Sequence, residues 1–144
     1  MKPSELRALA TRIAWTYIGV PYRWGGDDPM QGMDCSGLVC EILQSVGRIG
    51  RKEDLTADTL KRRFELHLAP VPREGCIALW LNASGDAVHV EYCIDAVHTI
   101  GASGGDSTTT TTEAAIKANA FVKVRPWASR GGRVMFVDPF PVDA

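Results

Sequence analysis

Apolar residues recur at helical spacing in the first half of the chain and at strand spacing in the second. Leu6, Ala10, Ile13 and Tyr17 share one face of a segment 4–18, which predicts a helix with Ser4 as its cap and Gly19 and Pro21 as its stop. Leu38, Val39, Ile42, Leu43 and Val46 repeat the pattern over 35–46. Asp34 is placed to cap that helix and Gly47 to close it. A shorter, highly charged helix is predicted over 57–66, with Thr56 or Asp54 as its cap. After Pro70 and Pro72 the period changes. Runs at 76–80, 88–94, 98–103, 121–125 and 134–138 are apolar or rich in β-branched residues, and predict strands. Asn82–Asp86 and Asp95–Val97 carry turn chemistry between them. A helical turn is predicted at 113–119, and residues 47–55 and the proline-rich C-terminus read as irregular. Helices first, then mostly antiparallel strands, make an α+β domain with helices on one face of a sheet. With 144 residues and no internal repeat, a single domain over 1–144 is expected.

The loop 21–34 feeds directly into the second helix, and Cys35 falls in the first turn of that helix. The positive end of a helix dipole and its unpaired N–H groups favour a thiolate over a thiol. Cys35 is therefore placed as a nucleophile would be; a small buried residue at a helix start fits the pattern equally. A nucleophilic cysteine needs a base close in space, not in sequence. Of His67, His89 and His98, His89 is the best placed, in a strand just after a turn, although a half-buried structural histidine also fits. His67 sits among charges on a helix, and His98 at a hairpin edge.

Composition narrows the classes. The net charge is −1, with both signs mixed, which gives no basis for nucleic-acid binding. No apolar run has the length of a membrane span, so no membrane insertion is expected, and the charged N-terminus does not read as a signal peptide. Cysteines 35, 40, 76 and 93 form no C-x-x-C pair, and with the three histidines they offer no zinc-ligand spacing; free thiols and no cofactor or metal are expected.

The segments Gly19-Val-Pro-Tyr-Arg-Trp-Gly-Gly26 and Gly32-Met-Asp-Cys-Ser-Gly-Leu-Val39, followed downstream by His89-Val90, resemble the NlpC-type cell-wall cysteine peptidases, a papain-like group. Pro72-Arg-Glu-Gly75 before a strand and the tract 101–105 fit the same pattern. The resemblance covers most of residues 5–105. It implies a papain-like fold and hydrolysis of peptidoglycan stem peptides, usually between D-γ-glutamyl and a diamino acid, through an acyl-enzyme. Cys35 would attack, His89 would serve as base and then acid, and the Cys35 N–H would contribute to an oxyanion hole. Tyr22 would lie beside the nucleophile, and Asp34 and Ser36 would shape the subsite for the stem's N-terminal side, where helix capping is their simpler role.

One position departs from the family. A third polar residue is expected on the strand after the histidine hairpin, where this chain has Gly101. Glu91 shares the strand face of His89 at period two and is the favoured substitute. His98, a backbone carbonyl or a water are the other options. The absent signal and the small-residue tract resemble phage-type members, which implies synthesis in the cytoplasm, delivery by a tail or tail-like particle, and tail proteins as partners. A cysteine amidase or acyltransferase acting off the wall, or a tail component with weakened activity, are the alternative functions.

Overall fold

A computed structural model describes residues 1–140; the proline-rich end expected to trail off lies outside them at 141–144. Helix α1 spans Pro3–Thr16, α2 Cys35–Ser45, α3 Ala57–Phe64 and α4 Thr112–Ala118. Two short strands, β1 (Asp27–Asp28) and β2 (Gly32–Met33), make a small hairpin in the loop before α2. Strands β3 (Ile77–Leu81), β4 (Ala87–Cys93), β5 (His98–Ser103), β6 (Phe121–Pro126) and β7 (Arg133–Val137) form one antiparallel sheet in the order β6-β5-β4-β3-β7. This is the α+β arrangement expected from the sequence.

Two boundaries differ from the sequence pattern. The cap of α1 is Lys2, not Ser4: Pro3 takes the first helical position, where its missing N–H costs nothing. The Glu5 carboxylate reaches back to accept the Lys2 N–H at 2.9 Å. Helix α3 ends at Phe64, so His67 lies beyond it in a turn. The loop 104–112 is tied into the structure, with Thr109 buried and its carbonyl accepting the Trp24 N–H at 2.8 Å.

Alternation along the central strands separates two cores. Ile77, Leu79, Val90, Tyr92, Ile100 and Val122 bury against Ala10 and Ala14 of α1, the Leu38, Val39, Ile42 and Leu43 stripe of α2, Leu60 of α3 and Ala115 of α4. All four helices thus serve one side of the sheet. The intervening positions, Cys76, Ala78, Trp80, Cys93 and Phe136, make a smaller cluster closed by Trp127. His89 and Glu91 alternate with Val90 and Tyr92, and so lie on the side of β4 away from them.

The end of the sheet is pinned by charge. Arg7 reaches from α1 to grip Asp138 through both carboxylate oxygens, at 2.8 and 2.6 Å, and Arg73 adds a contact at 2.5 Å. Asp138 in turn accepts the Phe140 N–H at 2.9 Å. Burial would raise the Asp138 pKa, but the two guanidiniums and this N–H together hold it below the usual carboxylate value.

Candidate active site

The first turn of α2 is built by Asp34. Its backbone is extended, and its Oδ1 accepts the Gly37 N–H at 2.7 Å while its carbonyl accepts that of Leu38 at 3.1 Å. This leaves the N–H groups of Cys35 and Ser36 as the open donors of the turn. The second carboxylate oxygen accepts the Gly25 N–H at 3.0 Å, tying the preceding loop to the helix. Ser36 donates to Oδ1 at a longer 3.3 Å. Burial raises the Asp34 pKa, opposed by these hydrogen bonds. The turn demands glycine at position 37, because a Cβ there would lie 2.1 Å from the Gly26 carbonyl oxygen. Asp34 thus takes the capping role its position suggested, while the Ser36 hydroxyl only donates to the cap's carboxylate.

Cys35 is partly buried at the start of this helix. Its thiol lies near enough to the His89 ring to favour the charged imidazolium. His89 is delivered by β4, opposite Trp80 of β3, in a register set by the Asn82–Asp86 turn. The Asn82 side chain accepts the N–H groups of Ser84 and Asp86, each at 3.0 Å, which closes that turn. Trp80 packs against the imidazole with centroids 5.3 Å apart. The Nε2 atom of His89 faces Glu91 Oε2 at 2.7 Å. Nδ1 is therefore the ring nitrogen left for Cys35.

Both members of this pair are buried, at 6% and 5% exposure, so neither charge is compensated by solvent. Burial disfavours the imidazolium, but the hydrogen bonds and charges of Cys35 and Glu91 outweigh it and raise the His89 pKa. Burial likewise disfavours the Glu91 carboxylate; His89, Thr99 and Arg130 outweigh it and lower that pKa. The two directions agree, and describe a buried ion pair.

Gly101 explains how Glu91 fits. A Cβ built there would lie 2.4 Å from Glu91 Cγ and Cδ, so the carboxylate occupies the room that a side chain at 101 would need. His98, the alternative orienting group, is engaged elsewhere: its Nδ1 meets Asp95 at 3.1 Å in the hairpin turn. Tyr22 is buried beside the site, and its ring lies so close to Gly105 that a Cβ there would fall 2.2 Å away. Burial, then the negative charges of Cys35, Asp34 and Asp106, push its pKa up, so the phenol keeps its proton and can donate it in a hydrogen bond.

Three neighbours were not singled out from sequence. Thr99 of β5 donates to Glu91 Oε1 at 2.5 Å. Trp80 walls the imidazole, and the Arg130 guanidinium stacks over Trp80 at 5.7 Å. Cross-strand register identifies Thr99 and Trp80, and Arg130 comes from the segment between β6 and β7. Thr99 does share strand parity with Gly101, and that was the available signal.

Comparison with known proteins identifies the family and the fold. The NlpC/P60 family model matches residues 19–125. A stretch of 42 residues is 45% identical to the gamma-DL-glutamyl hydrolase of Bacillus subtilis, covering 29% of this chain and 10% of that protein. Another of 44 residues is 56% identical to the murein DD-endopeptidase MepH of Escherichia coli, covering 28% of this chain and 16% of that protein. The chain thus matches only a minor part of either relative. Among solved structures, the peptidoglycan hydrolase RipB from Mycobacterium tuberculosis superposes with a TM-score of 0.69 at 21% identity, over 96% of this chain and 67% of the other. An NlpC/P60 family protein from Bacillus cereus gives 0.72 at 18% identity, over 94% and 40%. The chain belongs to the NlpC/P60 family, whose solved members share its fold.

Proposed function

We propose that this chain is a cysteine peptidase that cleaves peptidoglycan stem peptides, at the bond between D-γ-glutamyl and a diamino acid. The observation that carries the reading is the buried Glu91–His89 contact at 2.7 Å, with Cys35 at a helix N-terminus near enough to the same ring to favour its charged form. The murein named for the Escherichia coli relative and the peptidoglycan hydrolases among the solved structures support a cell-wall substrate, and the name of the Bacillus subtilis relative supports a γ-glutamyl bond.

The chemistry follows from the arrangement. Proton transfer from Cys35 to His89 Nδ1 gives a thiolate–imidazolium pair, with Glu91 holding Nε2–H and balancing the positive ring. The thiolate attacks the scissile carbonyl carbon, and the electron pair displaced to oxygen meets the N–H of Cys35 at the open turn, with the Tyr22 hydroxyl nearby. Collapse of the tetrahedral species expels the amine, which takes the proton from His89 Nδ1–H and leaves a thioester. His89, again neutral, removes a proton from water; the hydroxide adds to the thioester, and the stem carboxylate departs with Cys35 restored.

An amidase or acyltransferase acting off the wall would use the same groups, so substrate decides between the readings. The weakened-component alternative drew on Gly101, and Glu91 in the room at 101 speaks against it. Tail-associated delivery, with tail proteins as partners, rests on the sequence resemblance alone. The test is digestion of a panel of purified muropeptides, read by liquid chromatography and mass spectrometry. New γ-D-glutamyl and diamino-acid termini are expected with the native chain and not with Cys35→Ala or His89→Ala. Cleavage at another stem bond, or at none, overturns the assignment.

A further inference from the structure

Thr99 is fully buried in β5. Its hydroxyl has one proton and two acceptors within reach: Glu91 Oε1 at 2.5 Å and the Arg125 carbonyl at 3.3 Å. The shorter contact, to the charged acceptor, takes it. The other oxygen of the same carboxylate faces His89 Nε2 at 2.7 Å. On its third side the carboxylate lies against bare backbone, where a Cβ at Gly101 would fall 2.6 Å from Oε2.

We propose that Thr99 is a positioning residue: its hydroxyl clamps the Glu91 carboxylate in the room left by Gly101, and so fixes the His89 ring that faces Cys35. The inference rests on the reading of Cys35 and His89 as the reacting pair. It assigns the orienting function to a two-residue unit, a carboxylate from the histidine's own strand and a hydroxyl from the next.

The groups that bear on Glu91 are His89 and Cys93 of β4, Thr99 of β5 and Arg130 from the segment between β6 and β7. Cys35 of α2 acts on it through His89. Of these, Thr99 is the one uncharged donor. Without its hydroxyl the buried carboxylate loses the contact that fixes Oε1, so Oε2 is no longer held in line with His89 Nε2–H and grips the imidazolium less firmly. The His89 midpoint then moves down.

The experiment is an NMR titration of the His89 imidazole in the intact, substrate-free chain, for wild type, Thr99→Val and Thr99→Ser, with steady-state kinetics on the same samples. Thr99→Val keeps the β-branch and removes the hydroxyl. Its midpoint is expected to fall by roughly one pH unit. Its kcat is expected to fall about ten-fold with KM within about two-fold, since the substrate contacts are untouched. Thr99→Ser is expected to restore both. A Thr99→Val midpoint and kcat equal to wild type, or a failure of Thr99→Ser to restore them, overturns the proposal. A slowly exchanging Thr99 hydroxyl proton in the wild-type spectrum is expected whether or not the valine variant folds, and its absence overturns the clamp. Because the titration uses no substrate, it reports on Thr99 even if no stem peptide is cleaved.

Discussion

Adding one methyl group at Gly101 tests whether the orienting carboxylate needs that empty space. The new Cβ would lie 2.4 Å from Glu91 Cγ and Cδ, about 1 Å short of the 3.4 Å at which ordinary contact begins. No positive φ is found at Gly101, so alanine meets no backbone penalty there, and the whole effect comes from the clash. Either β5 moves or Glu91 does. If the carboxylate yields by about 1 Å, its contacts to His89 at 2.7 Å and Thr99 at 2.5 Å are lost. A displacement of that size in a catalytic constellation costs on the order of 10²-fold, or about 2.7 kcal/mol in the barrier. Overpacking adds ~1–3 kcal/mol of lost stability. Steady-state turnover of a stem peptide and thermal melting measure the two effects. The same substitution in a Glu91→Ala background finds the space empty, and there it is expected to change neither rate nor stability appreciably. A Gly101→Ala rate within about two-fold of wild type, or a cost as large without Glu91 as with it, would show that the carboxylate does not need this space.

Two further outcomes follow from the charges. The Glu91 contribution to stability is present above its unfolded value near pH 4.5 and is lost as pH falls through its lowered folded value; the His89 contribution is present below about 6.5 and is lost as pH rises through its raised value. Glu91→Gln therefore flattens both limbs of a melting-temperature profile taken from acid to alkaline pH, and an unchanged profile would contradict the ion pair. Asp138→Asn strands Arg7 and Arg73 without their carboxylate and is expected to cost about 3–5 kcal/mol in chemical denaturation, with the acid-limb loss tied to the lowered Asp138 pKa removed.

The part of the site legible in sequence is the part set by local chemistry. Asp34, the apolar stripe of α2 and Gly47 fall within one stretch of chain, and the helix forms where they place it, with Gly47 at positive φ and the Arg48 N–H closing on the Leu43 carbonyl at 2.8 Å. Glu91 was readable because period two puts it on the face of His89. Thr99 and Trp80 were not, because their relation to the pair depends on which residues the hairpins bring opposite one another. The β1–β2 hairpin escaped for a similar reason. Its strands are two residues long, too short for any alternation, and loop pairing holds them rather than an apolar pattern. Ser4 was misread as a cap because serine suits that role in general, whereas Pro3 beside it decides where the helix starts.

In the proposed reaction Cys35 forms a covalent acyl intermediate, with His89 and Glu91 behind it. Rapid acid quenching of the chain during turnover of a stem peptide, followed by intact-protein and peptide mass spectrometry, reads this directly. A transient mass increase equal to the acyl half of the substrate is expected, carried by the peptide containing Cys35 and absent in Cys35→Ala. Cleavage that proceeds in Cys35→Ala, or an acyl group found on any other residue, would contradict it.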